Sequence, residues 1–187
     1  MTALSNTVVK RFCEICNSAY EFWITHRTLF DSNPQVEKLV KGDCGAFFSR
    51  LSIITQEYAL HQLVKLHDPA VQGNSINLTI EYIIDYGDWD QETFDTLKDL
   101  QSRMESLAKR IKPARNKLLS HNDLKTIIKN STLGDFEEGA DSKYFNLLQK
   151  FVNLVHDKCI GGPYPFKDLA IKDADILLSK IIDNETT

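Results

Sequence analysis

The sequence predicts an all-α fold. Apolar residues recur every three or four positions over most of the chain, which is the period of an amphipathic helix. One stretch, residues 76–84, alternates apolar and polar residues as a strand does, but no second alternating run exists to pair with it. Because Ile80, Ile83 and Ile84 also fit one helical turn, we predict a short helix there as well.

Length and composition favour one soluble domain. A chain of 187 residues has room for one domain of ordinary size, so we predict a single domain over residues 1–187. No apolar run approaches the roughly 18 residues that cross a bilayer, and residues 1–11 lack the apolar core of a secretory signal. The four cysteines have irregular spacing, which argues against a disulfide framework. We therefore expect a cytoplasmic protein with reduced thiols and no membrane association.

The first two helices are predicted from apolar residues that step by three and four. In the first helix these residues are Val8, Phe12, Ile15, Ala19 and Phe22. In the second they are Phe47, Leu51, Ile54 and Tyr58. The second helix should end near Asp68, because the residue before Pro69 is pushed out of the α region.

The clearest helix carries an apolar seam with a/d spacing, long enough for the central contact of a bundle or a dimer. The seam residues are Leu97, Leu100, Met104, Leu107, Ile111, Ala114 and Leu118. One further step of three lands on His121. Pro113 lies inside the seam and removes one backbone donor, so we expect a kink or a restart at residues 109–112.

Two more helices follow. The first has apolar residues on one side, namely Phe145, Leu148, Phe151, Val152 and Val155. Glycines and prolines at residues 161–165 should end it. A short last helix is predicted over residues 173–182.

Charge is distributed unevenly along the chain. Residues 98–129 contain nine basic and three acidic side chains, a charge of +6, whereas the whole chain has a net charge of −4. A basic segment within an acidic protein can form a local phosphate-binding surface, although a solvated Lys-rich helix face would have the same composition.

Two motifs have structural explanations beside the functional ones. Cys13 and Cys16 have the spacing of zinc ligands or a redox pair, but no second ligand pair exists, and two buried thiols in mid-helix fit better. His61, His67 and Asp68, with His26 and Asp123, resemble the ligands of an HD-type metal hydrolase. The helix end and the Asp-Pro turn account for His67 and Asp68 without a metal.

The strongest candidate site is the pair Arg115 and His121. Together they can cleave RNA without a metal: His moves protons near neutral pH, and the Arg fork stabilises charge developing on the phosphoryl oxygens. Five residues separate them, which corresponds to roughly 9 Å along a continuous helix. One helix would hardly focus both on a single phosphate, whereas two helices packed across a two-fold axis could.

The segment from Ile111 to Asp123, with Arg115-Asn116-Lys117 and His121-Asn122-Asp123 at its core, resembles the signature of the HEPN superfamily. The upstream Leu66-His67-Asp68-Pro69 and residues 78–84 are similar to the layout of its abortive-infection AbiU-like branch. The resemblance implies an up-and-down helical bundle that dimerises. It also implies metal-independent endoribonuclease activity in many members, often in toxin–antitoxin or antiphage systems.

From the residues and the resemblance we predict a homodimeric endoribonuclease without a cofactor, with RNA as its partner and an antitoxin protein as a second one. His121 would be the general acid/base, Arg115 would stabilise the transition state, and Asn116 would orient the phosphate or the His. Basic side chains would position the RNA backbone, namely Lys109, Arg110, Lys112, Lys117 and Lys125. The alternative is a catalytically silent helical module that binds nucleic acid or a protein, in which Arg115 and His121 serve a dimer interface.

Overall fold

A computed structural model describes residues 4–114 and 138–184. The described helices are α1 (Asn6–His26), α2 (Val36–Lys41), α3 (Gly45–Lys65), α4 (Ile80–Tyr86), α5 (Gln91–Ala114), α6 (Ala140–Cys159) and α7 (Leu169–Asn184). A π-helical turn, Arg27–Asp31, follows α1, and the described strands are β1 (Val71–Gln72) and β2 (Ser75–Ile76). The predicted all-α class is confirmed.

The chain divides into two compact units. The first unit comprises Met1–Cys16 and His61–Pro165, and the second comprises Asn17–Leu60 and Phe166–Thr187. None of the helices in the described part of the chain is both long enough and apolar enough to span a bilayer.

The core of the first unit forms where α5 packs against α6. The buried residues of the α5 seam are Leu97, Leu100, Met104 and Ile111, each at most 5% exposed. All five apolar residues predicted for α6 are buried. The ring of Phe151 meets Phe12 of α1 edge to face, with centroids 5.9 Å apart. These four seam residues are therefore covered within one chain, and the expectation that the seam from Leu97 to Leu118 lies at or beside a dimer interface stays a prediction.

Helix α5 continues without interruption through Pro113, so of the predicted kink or restart at residues 109–112 the restart is wrong, and the kink stays a prediction. Proline fixes φ near the helical value, and its main cost is the lost hydrogen bond to the carbonyl four residues back. The buried seam on either side of Lys109 holds the helix together at this point. The basic residues near its end consequently belong to the same continuous helix as the buried seam.

The segment predicted as one short helix over residues 76–84 is instead part strand and part helix. β1 and β2 pair antiparallel, with Val71 opposite Ile76, and a two-residue turn joins them. Gly73 has a φ of 61°. Two-residue hairpin turns require such a positive φ, which glycine adopts more readily than residues with a side chain. Thr79 then caps α4 by accepting a hydrogen bond from the backbone N–H of Tyr82.

The core of the second unit is a cluster of buried apolar residues: Leu29, Phe30, Leu39, Phe48, Ala174 and Leu178. The predicted apolar face of α3 is not the buried one, because Phe47, Ile54 and Tyr58 are 63%, 60% and 46% exposed. In α1, likewise, Phe22 of the predicted face is 42% exposed. Apolar residues occupy more than one side of these helices, so their period alone does not select the face that packs.

The helices near the C-terminus end and begin close to the predicted positions. α6 ends at Cys159, before Gly161 and Gly162, which both have positive φ and so terminate the helix as predicted. α7 is longer than the predicted 173–182, spanning Leu169–Asn184.

Candidate nucleic-acid interface and active site

The C-terminal half of α5 presents basic side chains to solvent. Lys109 and Arg110 are exposed, whereas their neighbours Ala108 and Ile111 are buried at 4% and 2% exposure. The 3.6-residue period produces this arrangement, since the buried pair lies three residues apart on the face toward the core. The basic residues thus lie on the solvent side of a helix whose opposite side is buried in the core of the first unit.

Earlier basic residues of α5 are engaged with carboxylates. Lys98 lies 3.5 Å from Asp85, and Arg103 lies 3.1 Å from Asp99 one helical turn away. Toward the end of the helix the chain supplies no acidic residue between Glu105 and Asp123. Positive charge therefore accumulates along α5 toward Ala114.

The structure places part of the predicted site. Lys109 and Arg110 are described with their side chains, and Lys112 lies within α5. Five predicted site residues lie outside the described residues: Arg115, Asn116, Lys117, His121 and Lys125. The arrangement of Arg115 and His121 thus remains a prediction from the sequence.

His67, named above in the metal-hydrolase alternative, belongs to a packed contact. Its Nε2 is 2.8 Å from the hydroxyl of Tyr144, and the two rings meet edge to face. Burial raises the pKa of Tyr144 well above its usual range, so the phenol stays neutral and shares a hydrogen bond with the imidazole. Tyr144 is 77 residues away in sequence, so no local pattern could have revealed this contact.

The described histidines and carboxylates do not gather into a metal-binding group. Over residues 4–114 and 138–184, no three His, Cys, Asp or Glu side chains come together in a way that could hold an ion. His26 instead contacts Thr55 at 2.9 Å and Asp31 at 3.4 Å. Asp123, the remaining member of the hypothetical ligand set, lies outside the described residues.

Cys13 and Cys16 are buried thiols, as predicted. Both are fully buried in α1, and burial raises the pKa of Cys13 to about 12 and that of Cys16 well above its ordinary value. A thiol acts as a nucleophile or metal ligand in its thiolate form, which these environments disfavour. The pair contributes to packing in the first unit.

Comparison with known proteins provides one match. The sequence model of the HEPN AbiU2 family, described as AbiU2, matches residues 3–178. This range includes the basic segment and the Arg115–His121 pair. No curated protein and no solved structure matches the chain.

Proposed function

The chain belongs to the HEPN AbiU2 family, which is related to abortive infection, and from this premise we propose that it is a metal-independent endoribonuclease acting as a cytoplasmic homodimer. The observation that carries the proposal is the Arg115-Asn116…His121 motif inside a basic segment and inside the matched range. We propose further that residues 1–187 form a single domain, since the match runs through both compact units.

The proposed reaction is an internal transesterification of RNA. His121 accepts the proton of a ribose 2′-hydroxyl, whose oxygen bonds to the adjacent phosphorus while the bond from phosphorus to the 5′-oxygen breaks. The leaving 5′-oxygen takes up a proton from a histidine or water, leaving a 2′,3′-cyclic phosphate and a 5′-hydroxyl. Arg115 stabilises the charge that builds on the phosphoryl oxygens by donating two parallel hydrogen bonds. Asn116 orients the phosphate or the imidazole.

A homodimer would allow Arg115 of one copy and His121 of the other to act on the same phosphate. If Arg115 and His121 belonged to one continuous helix, they would lie roughly 9 Å apart along its axis, which is too far for both to reach one phosphate from a single chain. Two motifs related by a two-fold axis would form a composite site with both side chains in reach. In a toxin–antitoxin system, an antitoxin protein would be the partner that restrains this activity.

Basic side chains hold the RNA backbone beside the site. Lys109 and Arg110 are exposed at the end of α5, directly before the motif, and Lys112, Lys117 and Lys125 continue the positive charge along the sequence. Contacts to phosphate carry little base specificity, so they would position many RNA sequences alike. Sequence preference would have to come from other contacts.

Replacing Lys112 and Lys117 together by Ala should weaken RNA binding and flatten its salt dependence. Each phosphate contact to a single strand contributes a slope of about −0.7 in log K against log salt, so the double variant should reduce the slope by about 1.4. Fluorescence anisotropy with labelled single-stranded RNA at several salt concentrations measures this directly. Lys38→Ala/Lys150→Ala, which removes two exposed lysines outside the basic segment, is the matched control. An unchanged slope in the first variant would mean that the segment is only a solvated face.

Incubating the purified protein with single-stranded RNA in excess EDTA tests the activity itself. Cleavage is expected to continue, because the proposed site uses only side chains. If RNA is bound but stays intact with and without divalent metal, the protein is a silent binding module. If cleavage occurs and EDTA stops it, the metal-hydrolase alternative is favoured.

A further inference from the structure

His26 is a buried titratable residue that the proposed reaction does not use. It is the last residue of α1, lies in the second unit, and is 5% exposed. Its Nδ1 lies 2.9 Å from the hydroxyl oxygen of Thr55 in α3. Its Nε2 lies 3.4 Å from Oδ1 of Asp31, the last residue of the π-helical turn. The imidazole therefore connects α1, the π-helical turn and α3.

The hydroxyl of Thr55 determines which ring nitrogen carries the proton. This hydroxyl donates to its own helix, since its oxygen lies 2.9 Å from the carbonyl oxygen of Leu51 and 3.1 Å from that of Ser52. A hydroxyl has one proton, so a Thr55 hydroxyl that donates to a carbonyl can only accept from the imidazole. Nδ1 of His26 is consequently the protonated nitrogen of the neutral ring.

The contact between His26 and Asp31 then lacks a proton. A neutral imidazole has one N–H, and Nδ1 uses it, so Nε2 and the carboxylate face each other as two acceptors. Their separation of 3.4 Å agrees with this, because a charge-assisted hydrogen bond measures about 2.7–2.9 Å. The chain from Asp31 through the imidazole and the Thr55 hydroxyl to the α3 carbonyls is complete only when the imidazole holds a second proton.

The surroundings of the imidazole contain one facing charge. From the π-helical turn the imidazole meets Asp31 and the ring of Phe30, whose centroid is 5.5 Å away. From α3 it meets the uncharged hydroxyl of Thr55. Helix α7, which packs on the turn, contributes the apolar Ala174 and Leu178 to the cluster that includes Phe30. Within the described residues, Asp31 is therefore the charged group that acts on the imidazole.

Two effects oppose each other at this ring. Burial lowers the pKa of His26, and the nearby carboxylate of Asp31 raises it, with burial the larger effect. The imidazole is therefore neutral at neutral pH and takes up a proton at a lower pH than an exposed histidine does. The side chain of Asp31 is 58% exposed, so it connects the buried Nε2 with solvent.

We propose that His26 is a proton-dependent switch within the second unit. When Nε2 takes up a proton from solvent, its contact with Asp31 becomes a charge-assisted hydrogen bond and shortens from 3.4 Å to about 2.8 Å. The end of the π-helical turn is thereby drawn toward a ring that already donates to α3. This inference goes beyond the proposed function and does not depend on it, since neither Arg115 nor His121 takes part.

Nuclear magnetic resonance of the unmodified protein tests the switch directly. Long-range proton–nitrogen spectra report the protonation of each ring nitrogen, and through-bond correlations assign the signals of His26. At high pH we expect a proton on Nδ1 and none on Nε2. As the pH falls, Nε2 should become protonated with a midpoint below the ordinary value of about 6.5.

Asp31→Asn tests the role of the carboxylate. The variant keeps the shape of the side chain and removes its charge, so the midpoint of His26 should fall by about one further pH unit. Asp43→Asn removes an exposed carboxylate of the same unit outside this chain of contacts, and should leave the midpoint unchanged. Circular dichroism verifies that both variants retain their helices.

Thr55→Val tests the assignment of the neutral proton. Valine keeps the shape of threonine but accepts no hydrogen bond, so Asp31 becomes the remaining acceptor and the proton of the neutral ring should move to Nε2. Thr96→Val is the matched control, because Thr96 donates in the same way to the carbonyl of Glu92, in the first unit. It should leave the proton on Nδ1.

The inference is overturned if Nε2 carries the proton of the neutral ring in the unmodified protein, or if Asp31→Asn and Asp43→Asn give the same midpoint. A proton that stays on Nδ1 in Thr55→Val would also overturn it. The first of these results needs no substitution, so it decides the matter even where a variant loses its fold.

Discussion

His121→Ala is expected to lower the rate of RNA cleavage by about 10²- to 10⁴-fold, the usual contribution of a positioned proton-transfer group. The polar residues nearest to it in the motif are Lys117, Ser120, Asn122 and Asp123, none of which ordinarily titrates near neutral pH. Single-turnover cleavage of a labelled RNA measures the rate. His156→Ala is the matched control, because this histidine lies near the end of α6, outside the motif. Its Nδ1 forms a hydrogen bond of 2.8 Å with the carbonyl oxygen of Gly162.

Arg115→Ala should have a loss of similar size, and Arg115→Lys should recover only part of it. Lysine retains the charge but lacks the planar fork that donates two hydrogen bonds to one phosphate. Circular dichroism and sedimentation velocity must show the fold and oligomeric state unchanged. Loss of helix or of the dimer in both Ala variants, with no cleavage by the unmodified protein, would assign these residues a structural role.

Phe151→Ala is expected to lower the free energy of unfolding by about 3–5 kcal/mol, which is a large part of the stability of an ordinary domain. Phe151 is completely buried in α6 and packs on Phe12, so its removal leaves a cavity at the centre of the first unit. Urea denaturation followed by circular dichroism measures the change. Ile76→Ala, at an exposed position, should cost less than about 1 kcal/mol. A similar cost for both variants would contradict the assigned core.

The helices that were predicted best have a single apolar stripe. Helices α5 and α6 are polar on the sides away from their apolar stripes. The 3.6-residue period of the apolar residues therefore predicts both that the segment is a helix and which face of it is buried. Gly161 and Gly162 ended α6 as expected because positive φ is readily adopted by glycine.

The helices that were predicted less well have apolar residues on several sides. In α3 the sequence offers Phe47 and Phe48 next to each other, and only tertiary packing decides that Phe48 is buried. The hairpin of β1 and β2 was missed because two-residue strands are too short to show an alternation.

The residues of the candidate site were predicted from the sequence, and the structure describes only the basic residues that precede them at the end of α5. Arg115 and His121 were selected for what their side chains can do to a phosphodiester, within a basic segment. The structure adds that Lys109 and Arg110 face solvent at the end of a helix whose opposite side is buried. Contacts between distant residues, such as His67 with Tyr144, depend on the fold and leave no local trace in the sequence.

The most direct test of the central claim is the chemistry of the RNA ends produced in excess EDTA. Without a metal-activated water, the adjacent 2′-hydroxyl is the nearest nucleophile, so the fragments should carry 2′,3′-cyclic phosphate and 5′-hydroxyl ends. Mass spectrometry of the fragments identifies both ends, and His121→Ala run in parallel should produce none above background. Fragments with 3′-hydroxyl and 5′-phosphate ends, or the same cyclic ends at the same rate from His121→Ala, would contradict the proposed mechanism.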